Sequence, residues 1–315
     1  MSDLPHRALG ASGLEVSLFS LGSWRSFERI PREQALAVMR AARDVGITFL
    51  DDARYDDEVG TAPIPTGYSE MVFGELFRAT GWRRDEVVVA NKLWWQFWPD
   101  QDAVAELDAS LGRMGLDHVD LIYSMPPPEG LPVADLVAQV VELVTSGRAR
   151  AWGIGNWRAP LLAEAVEVCR AEGFPLPCAA QLPYSLVTRD WVEDEQMAAL
   201  LATGETGLVA SYVLAGGVLS GKYLRGESGR ADDISRMDPS READAARALD
   251  ELAGEWGVPA PQLALAFALA HPHLASLLFG ATTPAQLREN LGALSVVESL
   301  DADQLARLRA VGEDP

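Results

Sequence analysis

Three side chains able to exchange protons stand at or just beyond the ends of short apolar runs. ITFLD closes on Asp51, VVVANK closes on Lys92, and Tyr55 follows Asp51 by four residues. A phenol with a reference pKa near ~10 is a poor acid at neutral pH unless a nearby cation favours the phenolate. A buried lysine held by an aspartate supplies such a charge. Asp51 and Lys92 as a pair read equally well as an ordinary ion pair between neighbouring strands.

Aromatic residues gather around the same positions. Trp94, Trp95 and Trp98 follow Lys92 directly, Trp24 follows the first barrel-like strand, and Trp157 follows the fifth. Tryptophan joins a large apolar face to one donor, which suits a pocket for rings, sugars or hydrophobic metabolites. Some of these rings are expected to pack beneath loops as core, with at least two facing the pocket. The run DDARYDDE adds Asp52, Asp56, Asp57 and Glu58 near the mouth. These carboxylates suit a cationic substrate, or simply a solvated loop.

The elements that must carry these residues alternate along the chain. After an opening hairpin (HRALG…LEVS), eight strand-like runs occupy 16–22, 47–51, 87–92, 119–124, 151–156, 179–183, 208–213 and 277–280. They are short, apolar nearly throughout and rich in β-branched residues, as strands buried on both faces should be. Amphipathic stretches such as EQALAVMRAARDVG, AVAELDASLGRMG and VADLVAQVVELVTSG lie between them. Eight such units predict an α/β fold, a (β/α)8 TIM barrel with an N-terminal β-hairpin, as one domain over residues 1–315. An open doubly wound sheet would normally carry G-x-G-x-x-G after its first strand, and that motif is absent. Long loops at 56–68 and about 215–240 are expected at the C-terminal face, where barrel active sites are built.

From LGASGLEVSLFSLGSW to GATTPAQLREN the chain resembles the aldo-keto reductase family over nearly its full length. The resemblance implies a barrel that binds NADPH, or less often NADH, and a catalytic tetrad of Asp, Tyr, Lys and His. GITFLDDARY matches the stretch carrying Asp51 and Tyr55, at a spacing of four where the family has five; Tyr68 is the weaker substitute. VVVANKL matches the catalytic lysine at Lys92. Met125 takes the histidine's place at the end of VDLIYSM. His118 is seven residues away at the other end of that strand, roughly 20 Å at ~3.3 Å per residue. His6, His271 and His273 also fall at the wrong end of the barrel. Methionine carries no titratable proton, so Met125 is expected to be pocket wall.

The resemblance also implies a cofactor site. Gly22 and Ser23 end the first barrel strand. WGIGNW places Asn156 on the nicotinamide carboxamide, with Gly155 where the family has serine, and AAQLP adds Gln181. SYVLAGGVLSGKY resembles the pyrophosphate loop through Ser211, Tyr212, Leu214, Gly216 and Lys222, with Tyr212 a candidate stacking ring one residue out of register. GATTPAQLREN supplies Gly280, Thr282, Gln286, Glu289 and Asn290 for the adenosine half. NADP is expected from family habit; NAD stays open because the usual basic reader of the 2′-phosphate is missing and Arg288 is the only nearby cation.

The expectation is an NAD(P)H-dependent oxidoreductase reducing a carbonyl or imine of a bulky or aromatic small molecule, with Tyr55 as general acid. The alternatives are a redox-silent NADP-binding regulatory protein, since potassium-channel β subunits also resemble this sequence in lacking the histidine, and a non-redox lyase or isomerase. The formal charge of −20 makes nucleic-acid binding improbable. Cys169 and Cys178 form no metal-ligand spacing. No apolar run approaches the ~18–20 residues of a membrane span and no signal peptide is evident, so a cytoplasmic protein of unknown oligomeric state is expected.

Overall fold

Strand 119–124 is buried at every position, which is what a strand covered on both faces requires. The computed structural model describes residues 4–226 and 239–312. A two-stranded hairpin, β1 (His6–Ala8) and β2 (Glu15–Ser17), precedes the barrel strands β3 (Phe19–Gly22), β4 (Phe49–Asp51), β5 (Val88–Leu93), β6 (Val119–Ser124), β7 (Ala149–Gly155), β8 (Ala179–Pro183), β9 (Gly207–Ser211) and β10 (Leu274–Phe279). β3 to β10 pair in sequence order, all in parallel, and β10 returns to β3 to close the barrel. The run 16–22 is therefore two strands: the chain leaves the hairpin at Ser17 and enters the barrel at Phe19.

Helices α1 (Arg32–Asp44), α2 (Tyr68–Thr80), α3 (Ala103–Met114), α4 (Val133–Thr145) and α5 (Ala159–Glu172) follow the strands through β7. Then come α6 (Glu195–Ala202), α7 (Pro239–Trp256), α8 (Ala260–Leu269), α9 (Pro284–Leu291), α10 (Ala293–Ser299) and α11 (Ala302–Ala310). One apolar cluster joins the barrel to its helices. A second gathers Leu9, Leu14 and Val16 of the hairpin with Phe49, Leu121, Tyr123 and Val209, so the hairpin packs against side chains of the barrel strands. The tip of the hairpin is tied down where the Ala11 N–H donates to the Glu205 carbonyl at 3.0 Å, just before β9. The opposite, C-terminal end is left for loops.

Those loops are held at their bases. In 56–68, Asp56 bridges Thr66, and the Gly67 N–H donates to the Tyr55 carbonyl at 2.9 Å. After β9, short 3₁₀ turns cover Ala215–Ser220 and Tyr223–Arg225; residues 227–238 of this expected long loop lie outside the described residues.

Candidate active site

Parallel register brings the ends of β4 and β5 side by side, with Asp51 opposite Ala90 and Lys92 two residues further along. Lys92 Nζ donates to Asp51 Oδ1 at 2.5 Å and to the Tyr55 hydroxyl at 3.3 Å. Gln181 Nε2 donates to the other oxygen, Asp51 Oδ2, at 2.8 Å. Asp51 is thus held from β5 and β8 together. Tyr55 reaches Lys92 despite its shortened spacing because the 56–68 loop folds back on it. Tyr68 does not take its place: it opens α2, its hydroxyl accepts from Arg32 Nη2 at 3.0 Å, and it is outside the cavity wall.

Lys92 was expected to favour the phenolate, and the surroundings of Tyr55 do the opposite. Burial first, then the carboxylates of Asp51, Asp52, Glu28 and Glu70, hold its pKa well above the ordinary phenol value. Asp52 is itself raised well above the usual carboxylate range by full burial and then by the charge of Glu70. Its Oδ1 accepts from the Ser23 hydroxyl, and its Oδ2 has no hydrogen-bond partner among the described residues. Ser23 is accordingly corrected: its hydroxyl is spent on Asp52, and the residue does not line the cavity, whereas Gly22 does. Glu70 is charge-paired instead, accepting from Asn91 Nδ2 at 2.9 Å and Arg113 Nε at 2.5 Å. Asn91 Oδ1 in turn accepts the Lys92 backbone N–H at 2.7 Å, which anchors the strand carrying the lysine.

The tryptophans divide. Trp24 and Trp94 line the cavity, and Trp94 meets Tyr55 edge-on with ring centroids 6.0 Å apart. Trp95 and Trp157 are buried in the core, and Trp98 borders a separate small hollow. Those three are corrected as pocket residues: Trp95 and Trp157 are taken up by the core, where large rings bury most apolar surface, and Trp98 is half-buried at the other hollow. The loop is set by Glu106 of α3, whose two oxygens accept the backbone N–H groups of Trp94 at 2.9 Å and Trp95 at 3.1 Å. Trp191, which no motif in the sequence marks, also lines the cavity.

Met125 forms part of the same wall, and its N–H donates to the Leu93 carbonyl at 3.0 Å. Its Sδ lies 2.8 Å from where a Cβ on Gly155 would stand, so a side chain there would require the thioether to shift. None of the four histidines lines the cavity. Burial, then the neighbouring His273, lowers His271 to about 4, which keeps it neutral at physiological pH.

The cavity continues from this corner across the C-terminal face, with a volume of about 2140 Å³. Asn156, Gln181, Ser211, Tyr212, Leu214, Gly216 and Lys222 line it, as do Gly280, Thr282, Gln286, Glu289 and Asn290. Gly217, at φ 98, lies under the Lys222 side chain, where a Cβ would stand 3.1 Å from Cε. Gln286 Oε1 accepts from the Thr282 N–H at 3.0 Å and hydroxyl at 2.8 Å, fixing the loop that leads into α9. All five non-glycine residues described with positive φ leave C-terminal strand ends: Arg25, Trp95, Asn156, Tyr212 and Ala215. Such conformations cost about 1–3 kcal/mol each and concentrate at functional sites. Amides at the corner, a lysine over a glycine turn and a helix start beyond it are the donor set that a nicotinamide dinucleotide needs, and the residues fit that group.

Charge at the corner differs from the expectation of an acidic mouth. Glu58 is answered by Arg25 at 2.5 Å and Arg29 at 2.7 Å. Arg54 adds a third cation to the wall, beside Asp56. A run of carboxylates was visible in the sequence, but not the arginines folded over it. Among the described residues no cluster of metal-ligating side chains occurs, and no helix is long and apolar enough to cross a membrane.

A family model described as the aldo/keto reductase family matches residues 19–313. A rice (Oryza sativa subsp. japonica) protein described as a probable voltage-gated potassium channel subunit beta is similar at 32% identity, over 98% of this chain and 96% of its own length.

Proposed function

Because the chain belongs to the aldo/keto reductase family, we propose that it is an NAD(P)H-dependent oxidoreductase, working as a single barrel domain, that reduces a carbonyl or imine of a bulky or aromatic small molecule. The observation that carries this reading is the contact set of Lys92, 2.5 Å from Asp51 and 3.3 Å from the Tyr55 hydroxyl, in the wall of a cavity of about 2140 Å³. The bound nicotinamide supplies the hydride. Asn156 and Gln181 present amides to its carboxamide, Tyr212 its ring, and Leu214, Gly216 and Lys222 the pyrophosphate; Thr282, Gln286, Glu289 and Asn290 take the adenosine half. Family habit favours NADPH, and the Lys222 charge serves either nucleotide.

Tyr55 holds the proton delivered to the substrate oxygen or nitrogen. Lys92 steadies the charge left on its hydroxyl, and Asp51, fixed by Gln181, holds Lys92 in place. Trp24 and Trp94 exclude water and favour flat apolar substrates. Met125 offers no hydrogen bond there. Loss of such a donor commonly costs 10²–10³-fold, about 2.7–4 kcal/mol, so the reading favours acceptors electrophilic enough to do without it.

The test follows NADPH and NADH absorbance at 340 nm with an aldehyde and imine panel. Tyr55→Phe should lower kcat by at least about 10²-fold while nucleotide affinity, read by fluorescence titration, is kept. Full activity in that variant sinks the assignment of the acid. The likeness to a channel β subunit, together with Met125, supports a second reading: a redox-silent nucleotide-binding partner protein. Tight nucleotide binding without turnover of any substrate favours that one; substrate consumed at constant cofactor redox state favours a lyase or isomerase.

A further inference from the structure

Arg54 follows the cluster Asp51–Asp52–Ala53 and immediately precedes Tyr55. Only 4% of its surface is exposed, yet it contributes to the cavity wall. Among the described residues its one ionic contact is long: Nη2 lies 3.4 Å from Glu106 Oε1. That carboxylate also accepts the backbone N–H groups of Trp94 and Trp95. The other two guanidinium nitrogens, Nε and Nη1, are buried and have no hydrogen-bond partner among the described residues. The Phe97 ring covers the group, its centroid 4.8 Å from Cζ, and Phe97 itself is 47% exposed.

A buried guanidinium with two unmet donor nitrogens is expensive to keep. Glu106 balances its charge but meets only one of its nitrogens, and packing alone would be served better by an apolar side chain. Arginine presents a planar fork suited to a carboxylate or phosphate. The other neighbouring acids do not fill that role: neither Glu58, which is held by Arg25 and Arg29, nor Asp56 bonds Arg54 among the described residues. We propose that Arg54 is the anchor for an anionic group of the substrate, so that the physiological substrate is a carboxylate-bearing aromatic carbonyl or imine, with Phe97 as the ring that turns aside to admit it. This rests on the reductase reading for its chemistry but not for its binding test.

Benzoate and its neutral isostere benzamide, titrated calorimetrically into the full-length protein, read the anchor directly. Benzoate should bind on the order of 10- to 100-fold more tightly, the range of a charge-assisted hydrogen-bonded pair. Arg54→Gln should erase that ratio, and Arg54→Lys should keep part of it because the charge remains but the fork is lost. Unchanged benzamide affinity in Arg54→Gln marks the loss as charge recognition rather than misfolding. Equal binding of the two ligands by the wild type, no binding of either, or a ratio that survives Arg54→Gln overturns the proposal. Turnover of 4-carboxybenzaldehyde against 4-carbamoylbenzaldehyde then separates the two ideas. A KM advantage for the acid that vanishes in Arg54→Gln supports both. A benzoate preference with no turnover of either aldehyde leaves Arg54 standing and removes the reductase reading.

Discussion

The Met125 sulfur and the missing side chain at Gly155 occupy the same space, 2.8 Å apart. The sequence showed two separate departures from the family pattern; the structure places them in contact, the Met125 sulfur lying where a side chain on Gly155 would begin. Gly155→Ser should cost about 1 kcal/mol, the low end of overpacking, since the far end of a flexible side chain can yield. Urea denaturation should show that cost falling in the Met125→Ala background, and a cycle with no coupling would refute the pairing. Asp51, Tyr55 and Lys92 were legible from residue type and position. The direction of the Tyr55 shift was not, because it comes from burial and from Asp51, Asp52, Glu28 and Glu70 converging in space. A reaction that uses the Tyr55 proton should therefore hold its rate through the alkaline range in which an ordinary phenol, near ~10, ionises. A pH–rate profile falling at the ordinary phenol value would contradict it.

Strands and helices came through the sequence closely, since buried parallel strands and amphipathic helices have distinct apolar periods. VDLIYS and AAQLP have the bounds expected. The boundary at Leu18 was missed because hairpin and barrel strands are both apolar there. Helix glycines show what propensity cannot say. A Cβ on Gly74 in α2 would stand 2.0 Å from the Met114 carbonyl oxygen, which is backbone and cannot swing away. Gly112 in α3 has nothing within 4 Å. Gly112→Ala should stabilise by roughly 0.4–1 kcal/mol, whereas Gly74→Ala should destabilise by about 2 kcal/mol or more despite its better propensity. Thermal melts of the two variants moving in the same direction would refute the close approach of α2 and α3.

For the molecule as a whole, acid sensitivity has an identifiable source outside the cavity. His271 packs edge-on against Tyr184 with centroids 5.2 Å apart, near Glu193 and Arg309, and burial is the first cause of its fall to about 4. Its folded pKa lies below the reference value near ~6.5. The unfolded chain therefore binds the proton first, and stability present above about pH 6.5 is lost as pH falls towards 4. Because the ring is only partly buried, the loss should be on the order of 1–2 kcal/mol. Melting temperatures of His271→Phe should fall less steeply over that window; an unchanged slope would assign the acid lability elsewhere. The sequence by itself determined the barrel, the order of its strands and the placing of Asp51, Tyr55 and Lys92 at or just beyond strand ends, because apolar period and strand-end position are local properties of the chain. Tertiary structure decided which tryptophans face the cavity, that Ser23 is spent on Asp52, and that two Arg54 nitrogens beside Tyr55 have no hydrogen-bond partner among the described residues. Those facts depend on distances between side chains tens of residues apart, which only closure of the barrel sets.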